Sequence, residues 1–357
     1  MTENTSANSL AHARSSYLRS AGHQPVAWQE WSDQAFERAR AEDKPILLDI
    51  GAVWCHWCHV MDRESYENPE IAKLINQHFV AIKVDRDERP DIDARYQLAV
   101  SALTGQGGWP LTAFLTPEGK PFFGGTYFPS EDMQGRPGMI RVLESIAHHY
   151  GSNKSEILSS ADNITQALGN LEAIRKDGSE VSTVLADRII ESIGRTFDRD
   201  HGGFGTQPKF PHPGGLDLLM DAYLETRQSR LIGMVDQTLE AMGKGGVYDQ
   251  IGGGFHRYSV DERWIVPHFE KMSYDNAALL VNYLRAFQIT GKEFFREMAM
   301  GILNFIETTL TSSGGGFYAS QDADMNLDDD GDYFTWTLEE IRGVLDPVEA
   351  EVVAQRY

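Results

Sequence analysis

The chain has 357 residues, with 32 Lys and Arg against 53 Asp and Glu for a formal net charge of −21. A hydrophobic fraction of 41% beside 24% charged residues excludes a mainly disordered chain and points to a globular protein of two domains. The acidic balance, with no clustered basic run, excludes a nucleic-acid binder, whose hold on phosphates draws on Lys and Arg.

Met1 to Gln24 is polar and holds no apolar core of signal-peptide length, and no later stretch reaches the ~18 apolar residues of a membrane span. The expected location is therefore cytoplasmic, with no membrane partner. A helix is predicted from Trp28 to Asp43, with Phe36, Ala39 and Arg40 at helical spacing, and the run Ile46 to Ile50 then reads as a buried strand. Asn68-Pro69 supplies a cap and a first-turn proline for a helix lined by Ile71, Leu74, Ile75 and Phe79. The strand Val80 to Asp85 follows, then a helix from Pro90 to Leu103 that Gly105 to Gly108 break. Leu111 to Thr116 and Pro121 to Phe128 flank a turn as an antiparallel hairpin, and Ile140 to Tyr150 reads as a helix. This order describes an α/β sheet with a mixed edge.

Helical signals take over through Glu156 to Lys176, and Asp177-Gly178-Ser179 marks a linker. The expected domains are thus 1–175 and 176–357. Beyond the linker the chain repeats itself. Gly-Gly-Phe occurs at residues 202–204, 253–255 and 315–317, with pairs of helices between, Leu216 to Thr226 with Leu231 to Met242, then Asn276 to Ile289 with Glu293 to Leu310. Two helices per unit argue for stacked helical hairpins whose long loops gather on one face. The chain stops at Tyr357, shortly after another helix begins near Leu338. An array of this kind needs its apolar faces covered, so a truncated gene product or a fragment of a longer chain is expected.

The two cysteines, Cys55 and Cys58, sit where a strand ends and a helix begins. A helix start favours the thiolate, so Cys55 is the expected nucleophile, reinforced by His56, with Cys58 resolving the mixed disulfide. Asp49 on the preceding strand and Pro110 just before the next one complete the arrangement, with Trp54, Trp57 and Trp109 as flanking contact residues. Three other readings stay open: the literal Cys-x-x-Cys-His of a haem c attachment site, a zinc or copper site with His56 or His59, and a pair of inert buried thiols.

The loop from Gly245 to Asn276 is the richest in chemistry. Sugar sites need aromatic faces and carboxylate or histidine pairs. Trp264, Tyr248 and Tyr258 are candidate platforms, and His256, His268, Glu270, Asp275 and Asp322 are candidate proton-transfer groups, with Arg257 and Lys271 as further contacts. The competing reading is a charged loop tied together by ion pairs such as Arg257 with Asp261. Asn326-x-Asp328-x-Asp330-Gly331 opens like a calcium loop, but Thr337 stands at the twelfth position in place of Glu, which leaves a solvated acidic loop as the alternative.

Cys55-His56-Trp57-Cys58-His59-Val60-Met61, Lys83-Val84-Asp85-Arg86, Glu88-Arg89-Pro90-Asp91, Gly107-Gly108-Trp109-Pro110, Gly124-Gly125-Thr126-Tyr127-Phe128-Pro129, Pro208-Lys209-Phe210-Pro211 and His268-Phe269-Glu270-Lys271-Met272 together resemble the family of spermatogenesis-associated protein 20 and its bacterial YyaL relatives. Ser273 stands where leucine is expected. The resemblance implies an α/β thioredoxin-like domain followed by an all-α (α/α) six-hairpin toroid of glycosidase type, related in fold to sugar 2-epimerases. Members of that family are longer, which agrees with a partial toroid here. The leading expectation is a thiol-disulfide oxidoreductase acting on a protein or small-molecule disulfide. The alternatives are a carbohydrate-active enzyme or a glycan-binding module with a structural thioredoxin fold. None of these requires a bound cofactor or metal.

Overall fold

A computed structural model describes residues 8–133, 135–172, 183–324 and 331–356. The chain divides into two compact units, Met1–Asp177 and Gly178–Tyr357. In the first, a helical turn at Leu10–His12 and helix α1 (Ser16–Ser20) precede the short strand β1 (Gln29–Glu30). The Ser15 hydroxyl caps α1 by accepting the Leu18 N–H at 3.1 Å. Helix α2 (Asp33–Glu42) starts five residues later than predicted. Gln29 and Glu30 instead extend the sheet by pairing with Ile82 and Lys83, and the Ser32 side chain caps the helix.

Strand β2 (Ile46–Gly51) leads to α3 (His56–Met61), whose last turn passes into a π-helical turn at Asp62–Tyr66. Helix α4 (Pro69–His78) is capped by Asn68, which accepts the N–H groups of Glu70 and Ile71. Then follow β3 (Val80–Asp85), α5 (Pro90–Thr104), β4 (Leu111–Leu115), β5 (Pro121–Gly125), α6 (Met139–Ser152) and α7 (Lys154–Glu172). The sheet order is β1-β3-β2-β4-β5, parallel across the first three strands and antiparallel across β4 and β5. Every residue of β2 and β3 is buried, which is why both read as near-continuous apolar runs. Of the three charged exceptions, Asp49, Lys83 and Asp85, the first two lie directly opposite each other in the register.

The second unit is helical. Helix α8 (Thr183–Thr196), which the sequence reading missed, is followed by α9 (Pro213–Thr226) and α10 (Ser229–Lys244). Three two-residue strands, β6 (Tyr258–Ser259), β7 (Pro267–His268) and β8 (Lys271–Met272), lead into α11 (Ser273–Thr290) and α12 (Glu293–Phe305). A π turn at Ile306–Leu310, strand β9 (Ser320–Gln321), α13 (Leu338–Val344) and α14 (Pro347–Arg356) complete it. The linker residues Asp177 to Ser179 and the calcium-like Asn326, Asp328 and Asp330 lie outside the described residues. No helix among the described residues is long and apolar enough to cross a membrane.

The three Gly-Gly-Phe joints fold alike. Each phenylalanine closes a one-residue bridge with a residue just upstream: Phe197 with Phe204, Tyr248 with Phe255, and Thr311 with Phe317. In each, both glycines have positive φ, from +69° to +96°. A side chain at Gly254 would also drive into the Phe305 ring. In the second joint the turn presents its phenylalanine to the helices: Phe255 stacks on Tyr283 of α11 with centroids 5.3 Å apart, and the Asn276 amide accepts the Phe255 N–H at 2.7 Å and donates to its carbonyl at 2.9 Å, whereas Phe317 of the third joint is exposed.

Candidate functional site

In the first unit Cys55 is the N-cap of α3, its Sγ accepting the Cys58 N–H at 3.2 Å. The two cysteines form a disulfide with Cα atoms 5.2 Å apart, within bridging range. The Trp109-Pro110 peptide is cis. The indole of Trp109 meets that of Trp54 edge-on at 5.8 Å, so the stretch before β4 is brought beside the cysteine turn. Each indole N–H is held by a carboxylate: Trp54 donates to Asp87 and Trp109 to Asp93, both at 2.8 Å. The Arg86 guanidinium lies over both rings, 4.7 Å from Trp109 and 5.7 Å from Trp54. Trp57, in contrast, is 47% exposed and packs its ring against Tyr127 and against His56. Tyr127 donates to Glu64 at 2.5 Å. Trp57 and Tyr127 therefore offer an aromatic surface next to the disulfide.

Behind the cysteines lies a cluster that sequence reasoning saw only in part. Asp49 was expected, but Lys83, Asp62, Tyr17 and Tyr66 were not. Lys83 donates to Asp49 at 2.7 Å and to Asp62 at 2.8 Å, and all three side chains are buried. The Tyr17 and Tyr66 hydroxyls each donate to Asp49 at 3.2 Å. The rings of Tyr17, Trp28 and Tyr66 surround the Lys83 ammonium at 4.7 to 5.2 Å. The π turn sets the extra residue that turns Asp62 and Tyr66 inward together, and such bulges recur at functional positions. Burial pushes the Asp49 carboxyl above its usual range; Lys83 opposes the rise and the Asp62 charge adds to it. Burial works to lower the Lys83 ammonium, and the two carboxylates more than reverse it, leaving it raised. A signal for Lys83 existed: a lone lysine inside an apolar strand has to find a buried counter-charge.

In the second unit the structure brings together Arg257, Tyr258, His268, Glu270 and Asp275. His268 meets Glu270 at 2.9 Å, and Arg257 pairs with Glu270 at 3.3 Å, not with Asp261 as the charged-loop reading expected. Asp261 instead accepts the backbone N–H groups of Arg263, Ile265 and Val266. The Tyr258 ring stacks on His268 at 4.8 Å, and burial beside Glu270 pushes its phenol up to about 12. Asp275, in the first turn of α11, is raised to about 6, by burial first and by the Glu270 charge in addition, with Arg257 opposing.

Other expected contacts are placed differently. Trp264 is 0% exposed and donates its indole N–H to the His201 carbonyl at 3.1 Å, so neither face is open to a sugar ring. Tyr248 is buried against Phe255. Lys271 is buried, donating to Asp249 at 2.6 Å and to the Gly253 carbonyl at 2.9 Å, and so braces the second Gly-Gly-Phe turn. Lys209 does the same for the first, donating to Asp198 at 2.6 Å and to the Gly202 carbonyl at 2.7 Å. His256 is buried with Nδ1 2.8 Å from the Phe269 carbonyl, edge-on to Phe269 and Phe334. Burial, helped by the Lys271 charge, lowers it to about 3, a neutral core imidazole at any ordinary pH. Asp322 accepts the N–H of Asp324 within its own turn.

The fold and its cysteine turn define the class: a thioredoxin-like α/β domain followed by a helical toroid-like domain. Residues 7–169 match the family Thioredox_DsbH, described as a protein of unknown function, DUF255. Along 95% of its length the chain is similar to spermatogenesis-associated protein 20, 41% identical to the human protein over 350 residues and 41% to the rat protein over 351. It spans 44% of the length of those relatives. Among solved structures, a sugar epimerase from a ruminal bacterium is similar over 49% of this chain and 51% of its own, at 18% identity and a TM-score of 0.36. A DsbH oxidoreductase is similar over 34% of this chain and 83% of its own, at 21% identity and a TM-score of 0.27.

Proposed function

We propose that the first unit is a thiol-disulfide oxidoreductase. The observation that carries this reading is the Cys55–Cys58 pair at the cap of α3, backed by the buried Asp49, Lys83 and Asp62. In the reduced protein the Cys55 thiolate attacks a protein or small-molecule disulfide, forms a mixed disulfide and expels one substrate thiolate. Cys58, deprotonated, then attacks the Cys55 sulfur, closes the intramolecular disulfide and expels the second thiolate. Two electrons pass from the protein to the substrate, and a dithiol reductant of the cytoplasm restores the pair. Trp57 and Tyr127 receive the substrate chain.

A titration against a glutathione series tests this. The expected result is a reversible two-electron transition with a potential between about −270 and −120 mV, absent from Cys55→Ser. No reversible transition overturns the reading.

A second reading concerns the toroid-like unit, where one observation favours acid/base work on a carbohydrate: a carboxyl titrating near 6 at Asp275 beside Glu270 and its partners His268 and Arg257. Binding or turnover of a panel of reducing sugars that is lost in His268→Ala and kept in Cys55→Ser supports it. Equal behaviour of wild type and His268→Ala across the panel removes it.

A further inference from the structure

The N-terminal segment contributes a chemical group to the disulfide site as well as packing. Gly51 ends β2 two residues after Asp49, on the same face of the strand. A Cβ on Gly51 would lie 2.8 Å from the Cys58 sulfur and would overlap the Tyr17 hydroxyl. The hydroxyl and the sulfur thus sit against the same point, the place of the side chain that Gly51 lacks. The same hydroxyl donates to Asp49 at 3.2 Å. Resting on the dithiol reading above, we infer that Tyr17 is the proton relay between Cys58 and Asp49. As Cys58 becomes the attacking thiolate, its S–H proton passes to the Tyr17 oxygen while the Tyr17 proton passes to Asp49. The Cys58 sulfur then bonds to the Cys55 sulfur and the substrate thiolate leaves. The protein ends with a disulfide and one proton on the carboxylate cluster, so atoms and electrons balance.

The charges around the acceptor fit this role. Asp49, Asp62 and Lys83 together carry one net negative charge when no proton is bound, and all are buried. A buried cluster with that surplus is neutralised by taking up one proton. Tyr66 also donates to Asp49, but to Oδ1, whereas Tyr17 donates to Oδ2, which Lys83 also meets, and it is the Tyr17 hydroxyl that lies against the point at Gly51 shared with the Cys58 sulfur. Burial and the Asp49 and Asp62 charges hold the Tyr17 phenol well above its usual range, so it passes a proton on without keeping a charge.

The chain has only two cysteines, so a reaction of the reduced full-length protein with 5,5′-dithiobis(2-nitrobenzoate) reads both steps. The first equivalent of released thiol reports attack by Cys55 and the second reports resolution by Cys58. For Tyr17→Phe, which removes only the hydroxyl, the expected result is a first phase within about twofold of wild type. The second phase is slowed by at least about tenfold, with its pH midpoint moved upward. Asp49→Asn slows the same phase, and the double variant is no slower than the slower single one. In the wild-type protein, a proton inventory of the second phase in mixed light and heavy water is curved, as two protons in flight require. That measurement holds even where a variant fails to fold. An unchanged second phase in Tyr17→Phe, equal slowing of both phases, or a linear inventory overturns the relay. A wild-type protein that releases a single equivalent removes the dithiol reading itself, and the relay with it.

Discussion

Two kinds of buried lysine separate the two units. Lys83 stands between two carboxylates behind the disulfide, whereas Lys209 and Lys271 each meet one carboxylate and the carbonyl of a glycine in a tight turn. The pKa directions follow the partner count. Lys83 is raised because two acids outweigh its burial. Lys271 is lowered because burial outweighs Asp249 alone. Surplus negative charge beside a sulfur is a place to put a proton. A balanced pair whose spare donors reach backbone carbonyls is a brace.

The sharpest way to break this contrast is Lys83→Met. It strands two buried carboxylates, and the expected loss is about 3–5 kcal/mol, read from the denaturant midpoint of the first unit, with resolution by Cys58 abolished. Lys271→Met leaves Asp249, whose side chain is 16% exposed and can hydrate. Its expected cost is about 2 kcal/mol, with the redox potential of Cys55 and Cys58 unchanged. If the two variants cost the same, the distinction between proton site and brace fails.

The toroid-like unit gives a pH test in two opposed limbs. His256 titrates near 3 when folded against about 6.5 in an unfolded chain. The unfolded state therefore takes the proton first, and stability present at neutral pH is lost as the pH falls through 6.5 towards 3. Asp275 acts the other way: with its folded value near 6 and its unfolded value near 4, its contribution is full below 4 and is lost as the pH rises through 6. Asp275→Asn removes that second limb and raises stability at pH 8 by about 1 kcal/mol, allowing for its partial exposure. Thermal melts from pH 4 to 8 read both limbs. The smallest effect is expected for Trp57→Ala, within about 0.5 kcal/mol in stability because the ring is exposed. It slows reduction of a protein disulfide several-fold while leaving the small aromatic disulfide nearly unaffected.

Much of the sheet is legible in the sequence because its strands are short apolar runs bounded by proline, glycine and caps. β2 and β3 are of this kind, and α4 is legible from its Asn68-Pro69 cap. The cysteine turn is legible because strand end, Cys-x-x-Cys and Pro110 fall in order along one stretch. The charge cluster is not, because its members come from residues 17, 49, 62, 66 and 83 and meet only through register and a π turn that no local pattern announces. Trp264 misled for a related reason. An aromatic in a glycine-rich loop reads as a platform, but the loop folds it inward at φ +65° against the first Gly-Gly-Phe turn.

Each braced turn is also tied to the repeat that follows it. Lys209 exchanges backbone hydrogen bonds with Ser259 and donates its ammonium to the Glu262 carbonyl, both in the second repeat. Lys271 pairs with Gln321, and Ser273 donates to Ala319, in the third. The equivalent position in the third turn is Ser312, which carries no carboxylate. A turn can thus lock only when its successor has formed, so order spreads along the array by nearest-neighbour coupling, like a row of spins each set by the next. Damage to one loop should therefore be felt as lost cooperativity in the hairpin before it, not as a local defect.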